Sequence, residues 1–486
     1  MQDNSDALVQ YLGDSQLFGN DAGEDESPEI LASYFVDQPA FGSFFSRSDS
    51  FAVTRSKKGM GKSALLSKLA FDLERDSSDI VIQTTGPDLL GAHGHASKDH
   101  SVLQAYWKQL ICSQINAELG SRIGLAVDDS ELSLVEVAEL QGKRQRNLVG
   151  ALLARLKAQA GGLEVKTAVP SDALALLERY QTAHESSTIW LLVDDIDSTF
   201  VDTKALRARV STFFSACRAL ARDVPGLKIR SSVRSDVWTT LRYNEDLDKC
   251  EQYIVDIRWS QSELRRILER RIQSFVDRRF AETSIASGIK DSVQDTLHLV
   301  FEQKVRWGQA LVDPFYPIKI LSAGRPRWVA QLCRLSGRDA IRVGRSRIGI
   351  SNINSVMRDY GRFRLNDIYK EYGHQFSDLE RVVECFAGGK TRYQESQLLK
   401  HIETKYLRSR RSLPDLGGYK LTHPVELARF LFKVGFIMLR DSAISGPGDF
   451  MSFEEAPELL SSAESSNSRR VWEVHPSYRT VLRIRN

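Results

Sequence analysis

A lysine and a serine, Lys62-Ser63, close a short glycine-bearing stretch and open an apolar helical run. Those residue types in that order suit a polyphosphate. Glycines at 59 and 61 let backbone N–H groups turn inward around anionic oxygens. The N-terminus of a following helix adds partial positive charge where an anion sits. Lysine reaches β- and γ-phosphates as a mobile point charge, and a serine hydroxyl can ligate Mg2+. Ser56, Lys57, Lys58, Gly59, Met60, Gly61, Lys62, Ser63 and Ala64 therefore form the candidate cradle for a nucleoside triphosphate. The usual spacing starts on a glycine, where this chain has Ser56, and Gly59 is expected to take over part of the turn. A merely basic surface turn would require neither the strand before it (Phe51, Ala52, Val53) nor the helix after it.

A second constellation lies at Asp194 and Asp195, which end the apolar run Ser187 to Val193. A buried parallel strand reads as continuous hydrophobics, and ligands collect at its carboxyl end. Asp194, with Ser63, is the expected holder of the Mg2+ shell, and Asp195 the expected group that polarises attacking water. Hydrolytic sites more often carry Glu at the second position. Aspartate is one methylene shorter, which predicts slow turnover. A further strand, Leu227 to Val233, ends in Arg234-Ser235-Asp236. Arg234 is the candidate sensor of a terminal phosphate; the plainer reading is a salt-bridged surface arginine. Arg325 and Arg327, at the head of a helix beginning Gly324-Arg325-Pro326-Arg327, are candidate nucleotide contacts from the far side, or simple helix decoration. Arg218 and Arg222 could act in trans but read no differently from surface arginines.

The elements that must position these groups alternate between strand and helix. Asp79 to Thr85 is a second strand, after which Pro87-Asp88 opens a loop. Residues 101–120 form an amphipathic helix, and 129–186 one or two helices broken at Gly161-Gly162. Alternation of this kind predicts a parallel sheet. Residues 1–28 form an acidic arm with one apolar cluster, Leu8 to Gly19, and 29–45 carry helical spacing expected to pack beside the phosphate-loop strand. Trp259 begins an arginine-rich helical block to about residue 282, and Arg334, Arg338, Arg342, Arg345 and Arg347 make a second basic patch. From about 375 the chain reads as three helical blocks (377–388, 396–407, 424–439), a Gly/Pro turn at 445–449 and β-rich ends, which is a winged-helix pattern. The basic stretch 405–411 could contact phosphates. The expected division is 1–45 arm and helix, 46–257 α/β core, 258–370 helical lid and 371–486 winged helix.

Hydrophobic content of 42% and charge of 27% over 486 residues are those of a globular protein with a large core. A net charge of +3 gives no global argument for a polyanion. The five cysteines lack CxxC spacing and read as reduced core thiols. His93, His95 and His100 suggest a solvated loop rather than a metal site. With no apolar stretch of ~18 residues and an acidic start, a cytoplasmic protein without membrane contact is expected.

Taken together these motifs resemble the AAA+-related initiator and signal-transducing (STAND) ATPases. More narrowly, the chain is similar to stand-alone bacterial P-loop ATPases that carry an LFGxxxAxxE-like segment, a "yF" helix and a KGxGKS loop. Here these read Leu17-Phe18-Gly19-Asn20-Asp21-Ala22-Gly23-Glu24, then Tyr34-Phe35, then Lys58-Gly59-Met60-Gly61-Lys62-Ser63. The resemblance implies an α/β P-loop NTPase (AAA+/STAND-like) with a parallel sheet core, a helical lid and a C-terminal winged-helix domain. It implies ATP and Mg2+ as cofactors, with Lys62, Ser63, Asp194 and Arg327 in contact between core and lid. The expected function is a slowly hydrolysing ATPase that switches a homo-oligomer or a nuclease-like effector partner, in bacterial anti-phage defence. An ATP-dependent DNA-binding initiator or loader is the alternative, using the arginine patches and the winged helix. A nucleotide-binding scaffold without turnover is a third.

Overall fold

A computed structural model describes residues 8–21, 23–75, 79–90, 99–123, 129–143, 172–241, 245–281, 296–409, 414–416, 419–421, 423–440, 450–453, 455–460 and 470–484. The chain divides into two compact units, one of residues 37–57 and 62–257, the other of 1–36, 58–61 and 258–486.

The first of these is α/β. Its strands are β1 (Phe51–Ser56), β2 (Asp79–Thr85), β3 (Thr188–Asp194), β4 (Leu227–Arg234) and β5 (Ile254–Asp256). They form one sheet in the order β2-β3-β4-β1-β5, every pairing parallel. Ile189 to Val193 are buried on both faces of β3, as the unbroken apolar run demands. Helices α1 (Lys62–Glu74), α2 (His100–Arg122), α3 (Asp129–Leu140), α4 (Ala173–Ala183) and α5 (Lys204–Asp223) accompany the sheet. Trp107, Ile111 and Ile115 of α2 and Phe213 and Phe214 of α5 share its apolar core with Phe51, Val53 and Leu191. Side-chain caps start three of these helices: Asp99, Asp172 and Thr203 each accept from backbone N–H groups of the first turn. Arg230 is fully buried in β4. Its guanidinium stacks on Trp190 at 4.9 Å and donates to the carbonyls of Phe44 (2.7 Å), Ser46 (2.8 Å) and Asp49 (2.7 Å). Burial pulls its pKa down to about 10. The residues before β1 are thereby fastened to the sheet by a cation that satisfies carbonyls.

The second unit joins the N-terminal residues to nearly the last half of the chain. It contains α6 (Gln261–Arg279), the hairpin β6 (Val305–Trp307) and β7 (Ala310–Val312), α7 (Pro326–Arg342) and α8 (Ile350–Tyr372). Then follow α9 (Leu379–Glu384), β8 (Arg392–Gln394), α10 (Glu395–Lys405), the short pair β9 (Asp415–Leu416) and β10 (Tyr419–Lys420), and α11 (Pro424–Lys433). Strands β11 (Ile437–Arg440), β12 (Phe450–Met451) and β13 (Val471–Val474) join β8 in an antiparallel sheet ordered β12-β11-β13-β8.

The acidic arm is part of this core. Leu8, Leu12, Leu17 and Phe18 are fully buried in one cluster with residues of α6 and α7. A Cβ on Gly337 would lie 1.7 Å from the Leu12 carbonyl oxygen, so only glycine admits the arm there. The arginines of the basic blocks hold the arm. Arg270 donates to the Phe35 carbonyl, Arg271 to the Phe18 carbonyl (3.0 Å) and Arg279 to the Tyr11 hydroxyl (3.1 Å), while Arg334 pairs with Asp21 (2.5 Å).

Some sequence expectations need correction. The helical block read over 424–439 stops at Lys433, because Gly435 at φ +75° reverses the chain and Ile437–Arg440 pairs as a strand. Pro87-Asp88 lies in a short helix, Gly86–Leu90, rather than a loop. His100 opens α2, while His93, His95, Gly161-Gly162 and the 445–449 turn lie outside the described residues. Among the described residues no group of three or more His, Cys, Asp or Glu is arranged to hold a metal ion. No described helix is long and apolar enough to cross a membrane.

Candidate functional site

The loop after β1 has the backbone that an anion cradle requires. Gly59 sits at φ +79° and Gly61 at φ +107°, left-handed backbone that glycine adopts at least cost. A Cβ on Gly61 would face open space, so an approaching ligand meets no wall there. Ser56, by contrast, is the last residue of β1 and pairs in register with Arg234 of β4. Its backbone is extended, so serine at the first motif position carries no conformational cost. Lys57 leaves the strand, and Lys62, Ser63 and Ala64 open α1, with the Lys62 side chain mostly buried. The helix N-terminus thus begins at the two residues whose side chains suit phosphate and Mg2+.

Strand order decides where the acidic tip lies. β4 alone separates β1 from β3, so the two carboxyl ends are about 10 Å apart across the sheet. Asp194 ends β3. Its Oδ1 accepts from the Ser232 hydroxyl on β4 and from the Asp195 N–H (2.9 Å), and the Ser232 hydroxyl also lies 3.3 Å from that N–H. Ser232 is fully buried and fixes the Asp194 carboxylate. Asp195 is held at φ +53°, a left-handed conformation that a non-glycine residue adopts rarely and mostly at constrained sites. A Cβ on Gly86, just past β2, would fall 2.4 Å from Ile196 Cα and 2.6 Å from the Asp195 carbonyl oxygen, so the Asp195-Ile196 turn rests on bare glycine.

Arg234, at the tip of β4, is held between two buried carboxylates. Asp236 accepts from its Nη2 at 2.9 Å, and Asp197 takes its backbone N–H at 2.8 Å with Nε at 3.5 Å. Its charge is already answered within the tip. Arg222 is exposed and pairs with its neighbour Asp223 at 2.8 Å.

Residues Lys58–Gly61 pack with the arm and the C-terminal helices. Arg325 is buried, pairs with Glu371 at 2.8 Å, stacks over Trp328 at 4.2 Å and donates to the Lys58 carbonyl at 3.1 Å. Arg327 gives its backbone N–H to the Gly59 carbonyl at 3.3 Å, and its Cβ would lie 3.0 Å from a Cβ on Gly59. Sequence reasoning missed Ser232, Gly86, Trp259 and Glu371. The one available signal was the pair Ser231-Ser232, two small hydroxyl residues between Arg230 and Val233 near the strand tip.

No family model matches the chain. An 80.3 kDa protein of transposon gamma-delta from Escherichia coli strain K12 is 19% identical over 504 residues, covering 96% of this chain. The chain spans 66% of that protein's length, just under two thirds. Among solved structures, Cdc6p from Pyrobaculum aerophilum gives a TM-score of 0.33 at 11% identity, covering 97% of this chain and 98% of that one. The Orc1 protein of Aeropyrum pernix in complex with DNA gives 0.36 at 14% identity, with 94% and 90% covered. A RuvB variant from Thermotoga maritima gives 0.31 at 13% identity, with 90% and 95% covered. Scores of this size carry no weight beside the strand order and the loop, from which the α/β fold with its glycine loop after β1 follows directly.

Proposed function

We propose that the chain is an ATP-binding P-loop ATPase with slow turnover. One observation carries this: two glycines in left-handed backbone lead from β1 into Lys62-Ser63 at the head of α1, on a sheet whose β3 ends in a carboxylate fixed by Ser232. The residues fit the group. Amides of the loop and the α1 N-terminus suit phosphate oxygens, Lys62 suits the β- and γ-phosphates, and Ser63 and Asp194 suit Mg2+. Bound Mg2+ supplies charge neutralisation for a transferring phosphoryl group. Asp195 is the proposed holder of the attacking water. Its short side chain and fixed backbone restrict its reach, which supports slow hydrolysis. Arg234 reaches a terminal phosphate on this reading by exchanging Asp236 for it, and Arg327 is the proposed second cationic contact.

The biological reading is a nucleotide-controlled switch that sets self-assembly or an effector partner, with anti-phage defence as its proposed setting. The order helix α9, strand β8, helices α10 and α11, hairpin β11–β12 and strand β13 supports a winged-helix module at the C-terminus. A second reading, ATP-dependent DNA loading, draws on that module: Arg392, Arg440 and Arg479 share the single carboxylate Glu473, leaving surplus positive charge. Purified protein with and without ATP–Mg2+, examined for mass, phosphate release and duplex retention across a salt series, separates the two. DNA loading requires log affinity to fall by roughly 0.9 per neutralised phosphate for each tenfold rise in salt. A flat salt response removes it, and phosphate release at background removes the ATPase.

A further inference from the structure

The middle of the phosphate loop has its carbonyls taken. Arg325 Nη1 donates to the Lys58 carbonyl (3.1 Å), the Arg327 backbone N–H to the Gly59 carbonyl (3.3 Å) and Trp259 Nε1 to the Met60 carbonyl (2.8 Å). In a planar trans peptide the N–H points opposite to the C=O of the same unit. Capture of the carbonyls at 58, 59 and 60 therefore turns the amides of Gly59, Met60 and Gly61 away from their captors. Successive amides presented in this way form an anion nest, and these three belong to the stretch that must meet phosphate oxygens.

Glu371 anchors the arrangement. Its carboxylate is fully buried, accepts the Lys58 N–H at 3.3 Å and pairs with Arg325 at 2.8 Å. Lys58 is thus held through both its amide and its carbonyl. Arg325 is itself fixed by stacking on Trp328. A buried ion pair contributes little net stability, because desolvation offsets the attraction, and its best-attested use is to fix one geometry. Apolar residues of α7 and α8, such as Val329, Leu332, Ile353 and Ile368, already bury those helices without it.

We infer that Arg325, Glu371 and Trp259 are positioning residues that hold the loop's carbonyls and so present its amides to the nucleotide, an assignment that rests on reading the loop as an ATP site. Because Glu371 lies in the last turn of α8, a shift of that turn reaches the loop through one carboxylate.

The test uses the full chain, with the double variant Arg325→Met/Glu371→Met, which replaces the pair by apolar groups, and Trp259→Phe, which keeps a ring and removes only the donor. Three quantities are read: melting temperature, hydrogen exchange of residues 58–61 without nucleotide, and affinity for a fluorescent ATP analogue with Mg2+. Both variants are expected to exchange faster at 58–61 and to bind the analogue about 10-fold more weakly, the equivalent of one lost hydrogen bond. The melting temperature of Trp259→Phe is expected to stay near wild type. A folded double variant with wild-type exchange and affinity overturns the assignment. If the double variant does not fold, Trp259→Phe with unchanged exchange and affinity overturns it equally. Wild-type protein that binds no analogue sinks the ATP reading itself, a different failure from wild-type binding that every variant matches.

Discussion

Ser232→Ala tests whether the acidic tip is oriented from the neighbouring strand. The Ser232 hydroxyl is fully buried, donates to Asp194 Oδ1 and lies within reach of the Asp195 N–H. A hydrogen bond to a charged group is worth about 1.5–3 kcal/mol. Asp194 is half-buried and keeps the Asp195 N–H at 2.9 Å, so water and that amide recover part of the loss. The expected cost in urea unfolding is therefore about 1.5 kcal/mol. Loss of a group that orients a metal ligand costs about 10–100-fold in metal affinity. The Mg2+ concentration that half-saturates nucleotide binding should rise by roughly the lower of those factors. Ser231 supplies the control, since its buried hydroxyl has no partner among the described residues. Ser231→Ala should be neutral or slightly stabilising, because it removes an unsatisfied polar atom. A Ser232→Ala protein with wild-type unfolding and Mg2+ midpoints, indistinguishable from Ser231→Ala, would refute the reasoning.

Glu473 is buried with Arg392 (2.6 Å), Arg440 (2.9 Å) and Arg479 (2.7 Å) on its carboxylate. Burial alone would raise its pKa, but the three guanidiniums hold it below the usual carboxylate value. A depressed carboxyl stabilises the fold above its unfolded pKa near ~4.3 and loses that contribution as pH falls through the folded value. Glu473→Gln should cost about 3 kcal/mol at neutral pH, read by urea unfolding, and the difference from wild type should shrink in acid. His475 is also buried, which pushes its pKa down from 6.5 to about 3. The folded state keeps it neutral while the unfolded chain takes a proton below about pH 6.5, so stability is lost as pH falls from there towards 3. His475→Asn, which can still accept the Ser477 N–H, should remove about 2 kcal/mol of the loss between pH 7 and 5; equal slopes for both proteins would count against it. Gly86→Ala would drive a methyl into the Ile196 backbone and should cost about 1–3 kcal/mol in urea unfolding, with weaker Mg2+-dependent nucleotide binding. Unchanged unfolding would mean that the turn has room.

Much of the α/β core is legible because its signals are local. Asp79–Thr85 is a strand over the very residues its β-branched run predicts, and the glycines at 59 and 61 adopt the left-handed backbone that their presence before Lys62-Ser63 suggests. Signals that depend on distant partners are not legible. The arginines of 265–279 read as a basic patch open to nucleic acid, yet several answer carbonyls and a hydroxyl of the first 35 residues. Leu8 and Leu12 have the spacing of one helical face, but nothing local names α6 and α7 as their cover. Glu371 lies 313 residues from Lys58, so its hold on the loop appears only once the chain is folded. The apolar run Phe436 to Leu439 suits helix and strand equally, and the single glycine before it decides.

The central claim is that the turn from β1 into α1 holds a triphosphate. Titration calorimetry of ATP–Mg2+ into the full chain and into Lys62→Ala tests it most directly. Saturable heat from the wild type, with affinity lost by at least about 10-fold in the variant, is the predicted result. Silence from the wild type, or equal binding by both proteins, would contradict it.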